Sequence, residues 1–129
     1  MRTDAREAVL KLLYAEIINP SDVETVKKVI FKKLTEEEFD FAKQLIDIIN
    51  EHEETIVSTI DKNIQHFKED RLFPVDRAVL MIAVAEILYI DDVPSVVSIN
   101  EAVNLAQKYS TEKSADFVNG VLAGVIQSV

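Results

Sequence analysis

No cysteine occurs in the 129 residues, which excludes disulfides, thiolate metal sites and cysteine nucleophiles. A chain without disulfides suits a reducing cytoplasm. Glycine occurs twice and proline three times. A many-stranded sheet needs such turn formers at every hairpin, so their scarcity favours helices joined by short loops. Histidine occurs only as His52 and His66. No Gly-x-Ser-x-Gly, glycine-rich phosphate loop or His-Glu-x-x-His is present, so the common nucleophile, nucleotide and zinc-protease signatures are missing. Long apolar runs are lacking too. The longest, Ala78 to Ile90, is interrupted by Glu86 and falls short of the ~18 residues of a membrane span. Met1 to Glu7 carries charge where a signal peptide would be apolar. The expectation is a cytoplasmic protein without a membrane span.

Basic charge is in short supply. The net charge is −9, and both halves are acidic, −6 over residues 1–70 and −3 over 71–129. Phosphate neutralisation dominates non-specific nucleic-acid binding, so general affinity for nucleic acid is not expected, although a local basic patch remains open. Residues 36–54 hold eight acidic side chains around His52. A charge run on a helix is usually a solvated face, so neither a metal site nor a cofactor is expected there.

What is present is an abundance of apolar residues, 48 % of the chain against 29 % charged, the composition of a globular domain. One domain over residues 1–129 is expected. Ala5, Ala8, Val9, Leu12, Leu13 and Ile17 recur at helical spacing and predict a helix over Asp4 to Ile18. After Asn19-Pro20, Ser21 is placed to cap a second helix with Val23, Val26, Val29, Ile30 and Leu34 inward. Lys27, Lys28, Lys32 and Lys33 fall near its C-terminal end, where the dipole favours them. Thr35-Glu36-Glu37-Glu38 is a capping box opening a third helix. Its apolar positions Phe41, Leu45, Ile48 and Ile49 continue into Ile56, Val57, Ile60, Ile64 and Phe67, with a break expected near Asn50.

Asp70-Arg71-Leu72-Phe73-Pro74 reads as a loop, with Pro74 suited to a first helical turn. Val75 to Ile90 is apolar on nearly every face and predicts a helix surrounded by others. Asp91-Asp92-Val93-Pro94 closes it. Ser98-Ile99-Asn100-Glu101 has the form of a second capping box, opening a helix from Ile99 to Tyr109, and a last helix carries Phe117, Val118, Val121, Leu122, Val125 and Ile126. Gly120 and Gly124 are four apart on it, a spacing suited to close packing against the central helix. The expected fold is all-α, six or seven helices around one buried helix. Glu86 within that helix is either at its edge or buried and paired. A structural role is favoured over a catalytic one, and no enzymatic activity is expected.

Asp92-Val93-Pro94, Ile99-Asn100-Glu101-Ala102-Val103-Asn104-Leu105-Ala106 and Phe117-Val118-Asn119-Gly120-Val121-Leu122 together resemble the signature of the NusB family. Val75-Asp76-Arg77-Ala78-Val79-Leu80 with Ala85-Glu86-Ile87-Leu88 resembles its central helix, and Ala5-Arg6-Glu7 with Leu13-Tyr14 its first helix. Residues 19–70 match only in helical pattern. The resemblance implies a compact NusB-like helical bundle and a transcription antitermination factor, which regulates ribosomal RNA transcription. Such a factor binds boxA-type single-stranded RNA together with NusE, a ribosomal small-subunit protein, within the elongation complex. It further implies RNA contacts from Arg2, Arg6, Tyr14, Phe117 and Asn119, a NusE-facing surface at Asp76 and Arg77, and structural polar roles for Glu86, Asn100 and Glu101.

Three departures thin the RNA face: Met81, Ser95-Val96 and Asp116 stand where the family commonly carries arginine, Tyr-Lys and a basic residue. The alternative gives Tyr14 and Phe117 to the core and Arg6 to an intrahelical pair. The alternative function is a protein-interaction or homodimerising module that kept the fold and bound RNA weakly or not at all. An NusB-like domain also begins ribosomal-RNA cytosine methyltransferases, but 129 residues leave no room for a cofactor domain.

Overall fold

Eight consecutive residues, Ala78 to Ala85, are buried, which a helix achieves only when other elements close around it. In the computed structural model, which describes residues 1–64 and 72–129, that helix is α5 (Pro74–Tyr89). Around it stand α1 (Arg2–Ile18), α3 (Glu36–Glu51), α4 (Glu53–Ile64), α6 (Ser95–Tyr109) and α7 (Glu112–Ser128), all of which pack against it. A 3-10 turn (Pro20–Asp22) and α2 (Val23–Phe31) complete the order. Every regular element among the described residues is helical. Leu10, Leu45, Ile60, Leu80, Ile82 and Leu122 share one apolar core. His66, Phe67 and Asp70-Arg71 of the expected loop lie outside the described residues.

Local chemistry explains most of the boundaries. The amide of Glu38 donates to the Thr35 hydroxyl at 3.2 Å and the amide of Thr35 donates to the Glu38 carboxylate at 2.8 Å, so the capping box at α3 forms reciprocally. Pro74 takes the first turn of α5. The break expected near Asn50 falls two residues later, at His52. There the imidazole stacks on Tyr89 at 4.0 Å between ring centroids.

Three expectations are overturned. No residue of α2 is buried, and Val29 is 56 % exposed. Among the described residues α2 packs broadly only on α1 and the turn before it, so Val23, Val26, Ile30 and Leu34 are half-buried and Val29 alone of the predicted inner face is exposed. Ser21 does not cap α2; its hydroxyl donates to the Asn19 side chain at 2.7 Å. Nor is there a capping box at Ser98. Pro94, extended at φ −59° and ψ 140°, starts α6 at Ser95, which places Ser98 inside the first turn with its hydroxyl directed inward.

Gly124 packs against α4 and not α5. A Cβ there would stand 2.6 Å from Asn63 Oδ1, so the missing side chain is what admits Asn63.

Replacing Thr35 by alanine should cost about 1 kcal/mol in a urea titration, the usual worth of such a cap. Replacing Ser21 by alanine should change stability by no more than a few tenths.

Candidate functional site

α1 and α5 run antiparallel, and this brings Arg6 of the first to Glu86 of the second. Arg6 Nε donates to one carboxylate oxygen and Nη2 to the other, both at 2.7 Å. Both residues are interior, at 3 % and 1 % exposure. Arg6 Nη1 also donates to Glu101 of α6 at 3.1 Å, Thr3 donates to the same Glu101 oxygen at 2.6 Å, and Ser98 donates to Glu86 at 3.1 Å. One planar guanidinium thus joins three helices through a forked, charge-assisted pair.

The sequence expectation of Arg6 as an RNA contact is corrected here. Its charge is committed to two carboxylates inside the protein and is not presented to a phosphate. The pairing is between helices, not within α1, and of the two alternatives for Glu86 it is the buried and paired one that the structure shows.

Arg2, half-exposed at the outer end of the same turn, lies 3.4 Å from Asp92 and places its guanidinium 4.4 Å from the centroid of the Phe41 ring. It is the arginine of α1 that solvent reaches. One residue beyond Arg6, Glu7 bridges to the far end of α6. Lys108 Nζ donates to it at 3.0 and 3.2 Å, the Tyr109 hydroxyl donates to it as well, and Lys11 is 3.6 Å away. Burial alone would raise the Glu7 pKa, but the Tyr109 and Lys108 hydrogen bonds outweigh it and hold the carboxyl below its ordinary 4.5. Burial and the same carboxylate push the Tyr109 hydroxyl up. Tyr14, 40 % exposed, lines a hollow of about 270 Å³ with Leu10, Lys11, Val75 and Tyr109.

The remaining expected residues lie elsewhere. Phe117 is half-buried against the core, while Asn119, Asp116 and Asn100 are exposed. α7 shares no broad face with α1, so Phe117 and Asn119 are not side by side with Arg2 and Tyr14; α5 packs on both helices, while α6 packs on α7 and reaches α1 through side chains. Asp76 is also corrected. At 3 % exposure its carboxylate accepts from Ser114 at 3.0 Å, and Ser114 accepts in turn from Ser110 and Thr111. It ties α5 to the start of α7 and does not present itself to a partner. Arg77, next to it, is partly exposed.

Sequence reading missed Lys108, Tyr109 and Ser114. Pairs about a hundred residues apart leave no spacing signal, although Ser110-Thr111-Glu112-Lys113-Ser114 does carry the hydroxyls of a helix start. No group of acidic and histidine side chains able to hold a metal occurs among the described residues, and no helix among them is long and apolar enough to cross a membrane.

Residues 3–127 match the model of the NusB family. The chain is 37 % identical over 126 residues to the transcription antitermination protein NusB of Oceanobacillus iheyensis, covering 97 % of this chain and 98 % of that one. It superposes on T. maritima NusB with a TM-score of 0.87 at 32 % identity, covering 98 % and 91 %. It superposes with a TM-score of 0.86 at 28 % identity, covering 99 % and 97 %, on a chain of a crystal structure of the antitermination factors NusB and NusE in complex with dsRNA.

Replacing Arg6 by methionine strands the Glu86 carboxylate in the interior and should cost about 3–5 kcal/mol by urea unfolding. Adding Glu86→Leu should recover most of that loss. Acid should also destabilise the fold. The Met1 ammonium and the Thr35 amide hold Glu38 down from 4.5 to about 2, and Glu7 is likewise depressed. A folded-state pKa below the unfolded one means stability that is present above about pH 4.5 and lost as pH falls through the folded value. Unfolding midpoints should therefore drop between about pH 4.5 and pH 2, and Glu7→Gln should flatten part of that drop.

Proposed function

The chain belongs to the NusB family, and we propose that it acts as a transcription antitermination factor, binding boxA-type single-stranded RNA jointly with NusE in the elongation complex. The observation that carries this reading is the near-complete superposition on a chain of the crystal structure of NusB and NusE with dsRNA, together with the family match over residues 3–127. We read the protein as one cytoplasmic domain and as a binding protein, not an enzyme. Glu86, the acid that the sequence singles out, is occupied by Arg6 and Ser98.

Arg2, Tyr14, Phe117 and Asn119 are the proposed RNA contacts, and Arg77 the proposed NusE-facing residue. Arg2 is the one arginine at the start of α1 that faces solvent, because Arg6 is interior. With so few phosphate partners at that turn, affinity depends on a surface shared with NusE.

Titrating boxA RNA against the protein with and without NusE, at two salt concentrations, tests this. Weak binding alone, and tighter, salt-dependent binding with NusE, are expected. An affinity unchanged by NusE would refute joint binding. Light scattering over a concentration series distinguishes the self-associating alternative, which predicts a stable dimer indifferent to RNA.

A further inference from the structure

Lys27, Lys28, Lys32 and Lys33 lie within seven residues on α2 and the turn behind it, and all four are exposed. None forms a salt bridge among the described residues. By contrast Arg2, Arg6, Lys11 and Lys108 each have a carboxylate within 4.0 Å. In a chain of net charge −9 this is a concentrated block of positive charge, met by the field of Glu16 at Lys27. α2 buries no side chain of its own, so the outer surface that carries the block is open.

Aromatic surface stands beside the lysines. Phe31, between Lys28 and Lys32, meets Phe39 of α3 edge-to-face at 5.7 Å and 86°, and Phe39 is 39 % exposed. The Phe31 contact fixes the Phe39 ring while leaving part of it in water. The block also adjoins the start of α1. Lys33 lines a groove with Asp4, Glu7, Lys11 and Glu38, and Glu38 and Thr35 border the next hollow together with Arg2.

Backbone cations beside an exposed, braced ring are what a single strand requires. The cations track phosphates, and the ring accepts an unstacked base whatever its identity. An acidic protein surface would use the lysines but has no need of the ring.

We propose that Lys27, Lys28, Lys32, Lys33 and Phe39 form a second single-stranded RNA contact, holding the transcript that flanks the element bound at the start of α1. It rests on the RNA-binding reading above and adds a place where sequence-independent length of RNA contributes affinity.

The test uses fluorescence anisotropy with NusE present and two RNAs, the boxA element alone and the same element with single-stranded flanks on both sides. The wild-type protein should bind the flanked RNA about tenfold more tightly, the scale of one stacked base with a few phosphate contacts. Its salt slope should be steeper by about 2–3, since each phosphate contact on a single strand adds about 0.7. Lys27→Gln/Lys28→Gln/Lys32→Gln/Lys33→Gln should lose that gain and keep its affinity for the element alone. The four Lys→Arg changes should retain the gain, Phe39→Ala should lose part of it at an unchanged salt slope, and Lys43→Gln/Lys62→Gln, on α3 and α4, should leave it intact.

Equal affinity of wild type and the glutamine variant for the flanked RNA overturns the proposal. So does an equal loss for both RNAs, or a loss matched by the Lys43/Lys62 control, which would mean a general field and not a contact. If neither RNA binds the wild type with NusE, the antitermination reading itself fails and this contact with it.

Discussion

A glutamate buried at the end of the apolar run of the central helix is tolerable only if its charge is met inside the protein, and in this fold a single arginine meets it. A buried carboxylate without a partner would have to give up its charge. The bidentate Arg6–Glu86 pair, with Ser98 on the same carboxylate, supplies the hydrogen bonds that make an interior ion pair sustainable. Geometry follows from it. A guanidinium fork accepts a carboxylate only in its own plane, so Arg6 fixes the distance and rotation of α1 on α5, and its third contact, to Glu101, sets α6 against both. An apolar interface of alanine and valine would tolerate sliding by a turn; this one does not.

That commitment shapes the surface as much as the interior. Arg6 is withdrawn from solvent, so the first turn of α1 faces outward with Arg2 and Asp4, and the residue after Arg6, Glu7, is drawn into a bridge with Lys108 and Tyr109. The seam between α1 and α6 is therefore closed by charge at two levels, one buried and one at the rim. Cations that composition alone would count towards nucleic-acid binding are here holding helices together. What remains for a ligand is a smaller set, in which the lysines of α2 and the turn behind it are the densest group.

Legibility in the sequence divides along the same line between local and distant interactions. The apolar run Ala78 to Ala85 announced a surrounded helix, and Thr35 with Glu38 announced a helix start, because each depends on neighbours within one or two turns. Ser98-Ile99-Asn100-Glu101 has the same local form as Thr35 to Glu38 and misled for a physical reason. Pro94 had already begun the helix, and a distant arginine had a stronger claim on Glu101 than the backbone amide of Ser98. The valines of α2 misled because periodicity reports that a helix has an apolar face, not how much of that face another element covers. Asp76 and Arg6 are the sharper cases. Family resemblance offered both positions as surface contacts, and only the fold shows that both side chains turn inward.

The overall charge of −9 is a poor guide to what an approaching strand of RNA meets. At physiological ionic strength the screening length is about 8 Å, so a phosphate responds to the nearest side chains and not to the sum. Several carboxylates in that sum are already answered: Glu86 by Arg6, Glu7 by Lys108, and Glu38 by the capping box and the Met1 ammonium. Glu36 and Glu37, which follow the α2 lysines, sit in the first turn of α3, where the helix dipole offsets part of their charge. Exposed acids stand along α3 and α4 at Asp47, Glu51, Glu53, Glu54 and Asp61, and close to the lysines at Asp22 and Glu24. With both signs of charge on the surface, what an anionic strand meets is decided within one screening length of each phosphate. At the outer side of α2 that neighbourhood holds four lysines, and at α4 it is mostly carboxylate.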